Sequence, residues 1–194
     1  MDTAPTTAKR IFLIRHARPR VSRKGLFDAA AARQYISDYD AAQVEEFVMA
    51  HEGIPYQAVE KVYCSTLVRS QLTAKAIFGE QAELRVDPTF REFERRIFTL
   101  PLLRLPIRLW LLSARLLWFL GLNSRGIETF RQARTRARRA AEVLAQDAQE
   151  HHTTVLVAHG LLNNFIRREL KALGWQESSK GGHGFLSVQV LSQE

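Results

Sequence analysis

Apolar residues fall along this chain in two rhythms. The runs Ile11-Phe12-Leu13-Ile14 and Thr153-Thr154-Val155-Leu156-Val157-Ala158 are uncharged and do not alternate, as strands covered on both faces should be. Other stretches carry apolar residues three and four positions apart, the helical spacing. Together they predict a strand over residues 9–15 and a loop from Ala17 to Gly25. Two helices follow at about 28–36 and about 40–51, the second through Val44, Phe47 and Val48 and ended by Gly53 and Pro55. A strand from Val59 to Cys64 leads into a helix through Leu67, Leu72, Ala76 and Ile77. Leu84-Arg85-Val86 is a short third strand closed by Asp87-Pro88. A long helix from about Glu128 to Gln149 has Phe130, Ala133, Ala137, Ala141, Leu144 and Ala148 on one side and arginines on the other. The strand Thr153–Ala158, a helix over 161–173 and a last strand from Phe185 to Leu191 complete the order. Strands alternating with helices predict an α/β layered fold on a largely parallel sheet.

Ile97 to Leu122 breaks the rhythm, being rich in Leu, Trp and Phe but holding Arg104, Arg108, Arg115, Pro101 and Pro106. The arginines leave no charge-free run of about 18 residues, so a membrane span is not expected. From Pro106 onward, Ile107, Trp110, Leu111, Ala114 and Leu117/Trp118 share one helical stripe, and Arg104, Arg108 and Arg115 lie nearer the opposite side. That pattern fits an amphipathic helix packed on the domain, with a dimer interface or a membrane surface as the alternatives.

With 194 residues, the simplest organisation is one domain burying about 70% of its unfolded surface. Hydrophobic residues at 46% and charged ones at 25% are ordinary for a globular protein. The net charge of +8 attracts anions. Its basic residues lack the interleaved aromatics of a stacking surface, so nucleic acid is not an expected partner. Cys64 is the single cysteine, which excludes an intrachain disulfide and a cysteine-rich zinc site. The polar stretch Met1–Lys9 has no apolar core of a cleaved signal, and a cytoplasmic location is expected.

Candidate chemistry gathers at strand ends. The first strand ends in Arg15-His16-Ala17, where parallel sheets place their ligand sites. Arginine offers a rigid fork of donors for phosphate, and a neutral histidine is a nucleophile that can carry a phosphoryl group. Taken alone, such a pair is usually solvated surface. Three further pieces change the balance. Ser65-Thr66-Leu67-Val68-Arg69-Ser70-Gln71-Leu72-Thr73-Ala74 joins a strand to a helix and sets Arg69 on its opening turn. Val157-Ala158-His159-Gly160 ends the central strand in a second histidine beside a helix start, whose free N–H groups face an anion. Phe90-Arg91-Glu92-Phe93 offers an acid for the leaving oxygen, with Glu94 as its competitor.

These four motifs, in this order, resemble the histidine phosphatase superfamily of phosphoglycerate-mutase-like proteins. The resemblance spans nearly the whole chain. It implies a three-layer α/β/α sandwich with a central, mostly parallel sheet over residues 1–194, and a cap-like insertion at about 97–122. By the same resemblance His16 is the nucleophile, Arg15, Arg69 and His159 hold the phosphoryl group with help from Gly160, and Glu92 protonates the leaving oxygen and later activates water. No metal or organic cofactor is implied, and the partner is a phosphorylated small molecule. The loop departs from the family. Ala17 stands where glycine is usual, and Pro19 and Ser22 stand three and six residues after the nucleophile, where relatives often carry Ser or Thr and Asn. Ser22 keeps a hydroxyl that can donate to phosphate; Pro19 has none. Hydrolysis of a phosphomonoester is therefore the expected activity. A weakly catalytic phosphate-binding or regulatory protein, or a phosphomutase, are the alternatives. A loop position without a role is expected for His183.

Overall fold

The computed structural model describes residues 8–194, so the expectation for the amino-terminal segment lies largely outside the described residues. In chain order the elements are β1 (Lys9–Arg15), β2 (Leu26–Phe27), α1 (Ala29–Ala41), β3 (Lys61–Cys64), α2 (Val68–Phe78) and β4 (Glu83–Val86). There follow β5 (Leu105–Pro106), α3 (Ile107–Phe119), α4 (Phe130–His151), β6 (Thr153–Ala158), α5 (Gly160–Ala172), β7 (Gln176–Ser179) and β8 (Val188–Gln193). Six strands form one sheet in the order β4-β3-β6-β1-β8-β7. β8 is antiparallel to both its neighbours and the remaining pairings are parallel.

The two uncharged runs form the centre of this sheet, because β1 and β6 pair with each other and have strands on their outer sides. Their side chains alternate between layers. Ile11, Leu13, Leu156 and Ala158 pack with the alanine-rich face of α4 and with Leu162 and Ile166 of α5. Phe12, Ile14, Val155 and Val157 pack with Val62, Cys64, Ala74 and Phe78 on the other face. A three-layer α/β/α sandwich with a mostly parallel sheet results. Thr129 caps α4 through a reciprocal box with Gln132. Burial pushes the Cys64 thiol up to about 11, as an inert core residue requires.

Three expectations fail for identifiable reasons. No helix covers 43–51; α1 runs on to Ala41 instead. Gln43 O accepts from Arg20 N (2.8 Å) and Glu45 N donates to Arg18 O (2.7 Å), so the loop after His16 takes the bonds a helix would need. β7 has no apolar run (Gln-Glu-Ser-Ser) and is held as an edge strand by β8, which itself begins only at Val188. The helix expected through Leu67, Leu72, Ala76 and Ile77 is α2, whose buried residues are Arg69, Ser70, Thr73, Ala74 and Phe78. Arg115 points inward, not to solvent: its guanidinium donates to Phe93 O (2.7 Å) and Glu94 O (3.2 Å).

Candidate active site

The strand register sets the two histidines side by side. Arg15 pairs with Ala158 at the carboxyl ends of β1 and β6, and His16 N donates to Ala158 O at 2.9 Å. The next residue of each strand is therefore a histidine at the same level. Their rings meet edge to face, 5.0 Å between centroids. His16 is 3% exposed and His159 is fully buried.

The two rings are held differently. His16 Nδ1 lies 2.7 Å from Ala17 O, a contact that requires the proton on Nδ1 and leaves the lone pair on Nε2. Arg69 Nε donates to that Nε2 at 3.3 Å. Burial, then the Arg69 guanidinium, pulls His16 down to about 3, so the imidazole is neutral at neutral pH. His159 is driven well below its usual range by burial, then by His16 and Arg69. Neither of its ring nitrogens has a hydrogen-bond partner.

The arginines converge on these rings from two elements. Arg69 sits in the first turn of α2. Around it Ser70 Oγ donates to Val157 O (2.6 Å) and accepts from Ser65 N (3.0 Å), and Thr73 Oγ accepts from Ala17 N (3.0 Å). The hydroxyls of the second motif thus tie α2 to β6 and to the loop after His16. Ala17, 1% exposed, fills this corner with a methyl group and has no positive φ. Arg15 crosses the start of α5, where a Cβ on Gly160 would stand 3.1 Å from its Nε. A side chain there would press on the Arg15 guanidinium, which would have to shift by a few tenths of an ångström. Arg15 Nε is buried without a partner, while Nη1 donates to His183 O at 2.5 Å. The loop histidine thus has a place at the site through its carbonyl.

Glu92 lies in the irregular segment after β4, which is held by backbone clamps rather than by regular structure. Arg115 of α3 grips Phe93 O and Glu94 O, and Arg136 of α4 donates to Thr89 O (2.9 Å) and Arg91 O (2.6 Å) while paired with Glu128. Burial, then Arg95, lowers Arg115 to about 10. Arg115 and Arg136 therefore brace the segment that carries Glu92.

Arg15, His16, Arg69, Glu92 and Gly160 line one cavity of about 600 Å³, and Glu94 reaches it too. His159 lies beneath, against His16. Ser22 stands apart: it is exposed, its hydroxyl accepts from Lys24 N at 3.3 Å, and it does not line the cavity. Because the loop turns away at Pro19, which bridges to Val44, the hydroxyl is carried off the site. Sequence reasoning missed Asp40, whose carboxylate pairs with Arg69 (2.9 Å) and faces Arg91 (3.9 Å). It also missed Tyr39, whose ring lies 4.7 Å from the Arg69 guanidinium, and Asn163, whose amide donates to Ile14 O at 3.1 Å and whose oxygen is unpartnered. Arg91 was named only as a neighbour of Glu92. An aspartate at a helix end carries no signature of the arginine it will meet. Among the described residues no cluster of three or more His, Cys, Asp or Glu is arranged to hold a metal.

The arrangement can hold a phosphoryl group against a neutral histidine, with a carboxylate across the cavity. Comparison with known proteins agrees with the fold. Solved structures that share it include mycobacterial hydrolase 1 (21% identity, 96% of this chain and 93% of that one, TM-score 0.58). The phosphoglycerate mutase of Bacillus anthracis str. Sterne is similar at 16% identity over 97% and 89%, with a TM-score of 0.55. A mutant phosphoserine phosphatase of Entamoeba histolytica with phosphoserine bound is similar at 15% identity over 93% and 89%, with a TM-score of 0.50. At these identities the likeness is one of fold. No curated protein matches the chain in sequence. The model of one family does match, over residues 11–194. The chain belongs to the histidine phosphatase superfamily, branch 1.

Proposed function

We propose that this protein is a metal-independent phosphatase that hydrolyses a small phosphomonoester through a phosphohistidine on His16. Family membership carries the coarser half of that reading, a hydrolase of the histidine phosphatase type. The single observation that carries the rest is the state of His16: buried, neutral, with Nδ1 bonded to Ala17 O and Nε2 facing Arg69. A histidine so held keeps its lone pair available at neutral pH.

The geometry supports the following chemistry. Nε2 attacks phosphorus as the ester P–O bond breaks, and Glu92 gives its proton to the leaving alkoxide. Water then attacks phosphorus as the P–N bond breaks, Glu92 takes the water's proton, and His16 departs neutral as inorganic phosphate forms. Arg15, Arg69 and the N–H groups at the start of α5 bind the non-bridging oxygens, with Gly160 allowing the close approach. His159, with two unpartnered nitrogens, donates to the same group. This fixed positive charge does the work that magnesium does in other phosphoryl-transfer enzymes. The single buried cysteine fits a cytoplasmic setting.

One observation favours the alternative of a phosphate pocket without turnover: Arg69 Nε points its donor at the nucleophilic nitrogen itself. A generic aryl phosphate separates the two. Turnover that survives EDTA and vanishes in His16→Ala is expected. No turnover, loss with EDTA, or undiminished activity in His16→Ala overturns the reading.

A further inference from the structure

The cap-like stretch leaves an apolar face with no cover. Ile107, Trp110, Ala114 and Trp118 bury one side of α3. The opposite side carries Leu109, Leu112, Leu116 and Leu120, spaced three, four and four residues apart and 48%, 57%, 54% and 71% exposed. A surface helix ordinarily turns polar residues outward. Leu102, in the loop before α3, is fully exposed and sits at φ 62, a left-handed conformation that disfavours residues with a side chain. Leu122, just past the helix, is 72% exposed. An uncovered patch of this kind marks an interaction surface.

Charge says what covers it. From Arg95 to Ile127 the sequence has six arginines and no acidic residue. Arg115 is turned into the core and Arg95 and Arg108 line the cavity. Arg96, Arg104 and Arg125 stay exposed, and among the described residues none has a carboxylate within ion-pair distance. A second copy docking the same patch brings like charge against like charge. A surface that offers apolar depth and anionic headgroups answers both features at once, because leucines enter the acyl boundary while arginines reach phosphate. We propose that the outward face of α3, with the loop before it, docks on an anionic lipid surface. It lies on that surface rather than through it. The 13 residues of α3 span about 20 Å, against about 30 Å of hydrocarbon. No helix of the described residues is long and apolar enough to cross.

The proposal does not depend on catalysis and is tested without it. The whole protein is sedimented with vesicles of phosphatidylcholine alone, or with about 30% phosphatidylserine, at about 0.15 M salt. Binding to the anionic vesicles at least about tenfold tighter than to the neutral ones is expected, weakening as salt rises. The triple variant Leu109→Ser/Leu112→Ser/Leu116→Ser loses it by about tenfold or more, with melting temperature and aryl phosphate turnover unchanged. Arg104→Glu/Arg125→Glu, which leaves the leucines in place, weakens it too. Wild-type protein that ignores anionic vesicles, or variants that bind as wild type does, overturn the proposal. So does a wild-type dimer that the leucine variant converts to monomer.

Discussion

The two ends of the central strands treat buried polar groups in opposite ways. At the amino end, Asp147 of α4 is 6% exposed and satisfied: Thr154 Oγ donates at 2.6 Å, Tyr63 OH at 3.0 Å, and Lys61 Nζ completes the set. At the carboxyl end, both nitrogens of His159, Arg15 Nε and Asn163 Oδ1 are buried with nothing to bond. Leaving such groups unpaired costs about 1–3 kcal/mol each. The amino end is finished by the fold and holds it together. The carboxyl end leaves its buried donors and acceptors open, at the strand ends where α/β folds place their ligand sites.

That contrast breaks first at the nucleophile. His16→Ala removes the proposed nucleophile, and kcat/KM for an aryl phosphate is expected to fall by about 10⁴-fold or more. His159→Ala costs about 10²–10³-fold, as loss of one charge-stabilising donor does, while the melting temperature stays level or rises because an unpaired polar group has gone. Asp147→Ala behaves the other way. It strands Lys61, Tyr63 and Thr154, destabilises by about 2–4 kcal/mol in urea unfolding, and leaves kcat/KM of the folded protein at the wild-type value.

The sequence tells these ends apart only in part. Continuous apolar runs gave away β1 and β6, and a basic or histidine residue at the end of each marked the site, because a strand end is where a buried run must meet solvent. Arg69, Glu92 and Gly160 came with motifs whose spacing is local. Asp40 and Tyr39 did not, since their link to Arg69 is made only when α1 packs beside α2. The Asp147 network was equally invisible: its members lie on three elements, and nothing in the local pattern of any one of them announces the others. Arg115 looked solvated because sequence gives the angle around a helix but not the backbone carbonyls waiting inside. Residues 43–51 looked helical because the hydrogen bonds of Gln43 and Glu45 to Arg20 and Arg18 depend on a loop more than 20 residues earlier.

Acid sharpens the contrast. His16 takes a proton near 6.5 when unfolded but near 3 in the fold, and His159 is lowered as well. The unfolded chain therefore binds more protons in that window, and stability falls as pH drops from about 6.5 to about 3. Burial pushes Asp147 up, but the hydrogen bonds from Lys61 and Thr154 outweigh it and leave the carboxyl below 3.8. Its contribution is present above 3.8 and is lost as pH falls further. In chemical unfolding across pH, His16→Asn/His159→Asn flattens the upper window, whereas Asp147→Asn lowers stability at neutral pH and flattens only the lower window. A single shared transition in all variants contradicts the separation.

The smallest effect is expected at Ala17. Its amide bonds Thr73 and its φ is not positive, so Ala17→Gly destabilises by about 0.5–1 kcal/mol through backbone entropy and leaves turnover within about twofold of wild type. A large gain in activity shows instead that the methyl group blocks the site.

The central claim is a covalent one, and trapping the intermediate tests it most directly. Protein quenched during turnover of a phosphate-labelled aryl ester is digested and the phosphopeptides are located by mass spectrometry. The account predicts an acid-labile, base-stable phosphoryl group on the peptide that carries His16, absent from His16→Ala. Turnover with no such adduct, or with the label on another residue and retained in His16→Ala, contradicts it.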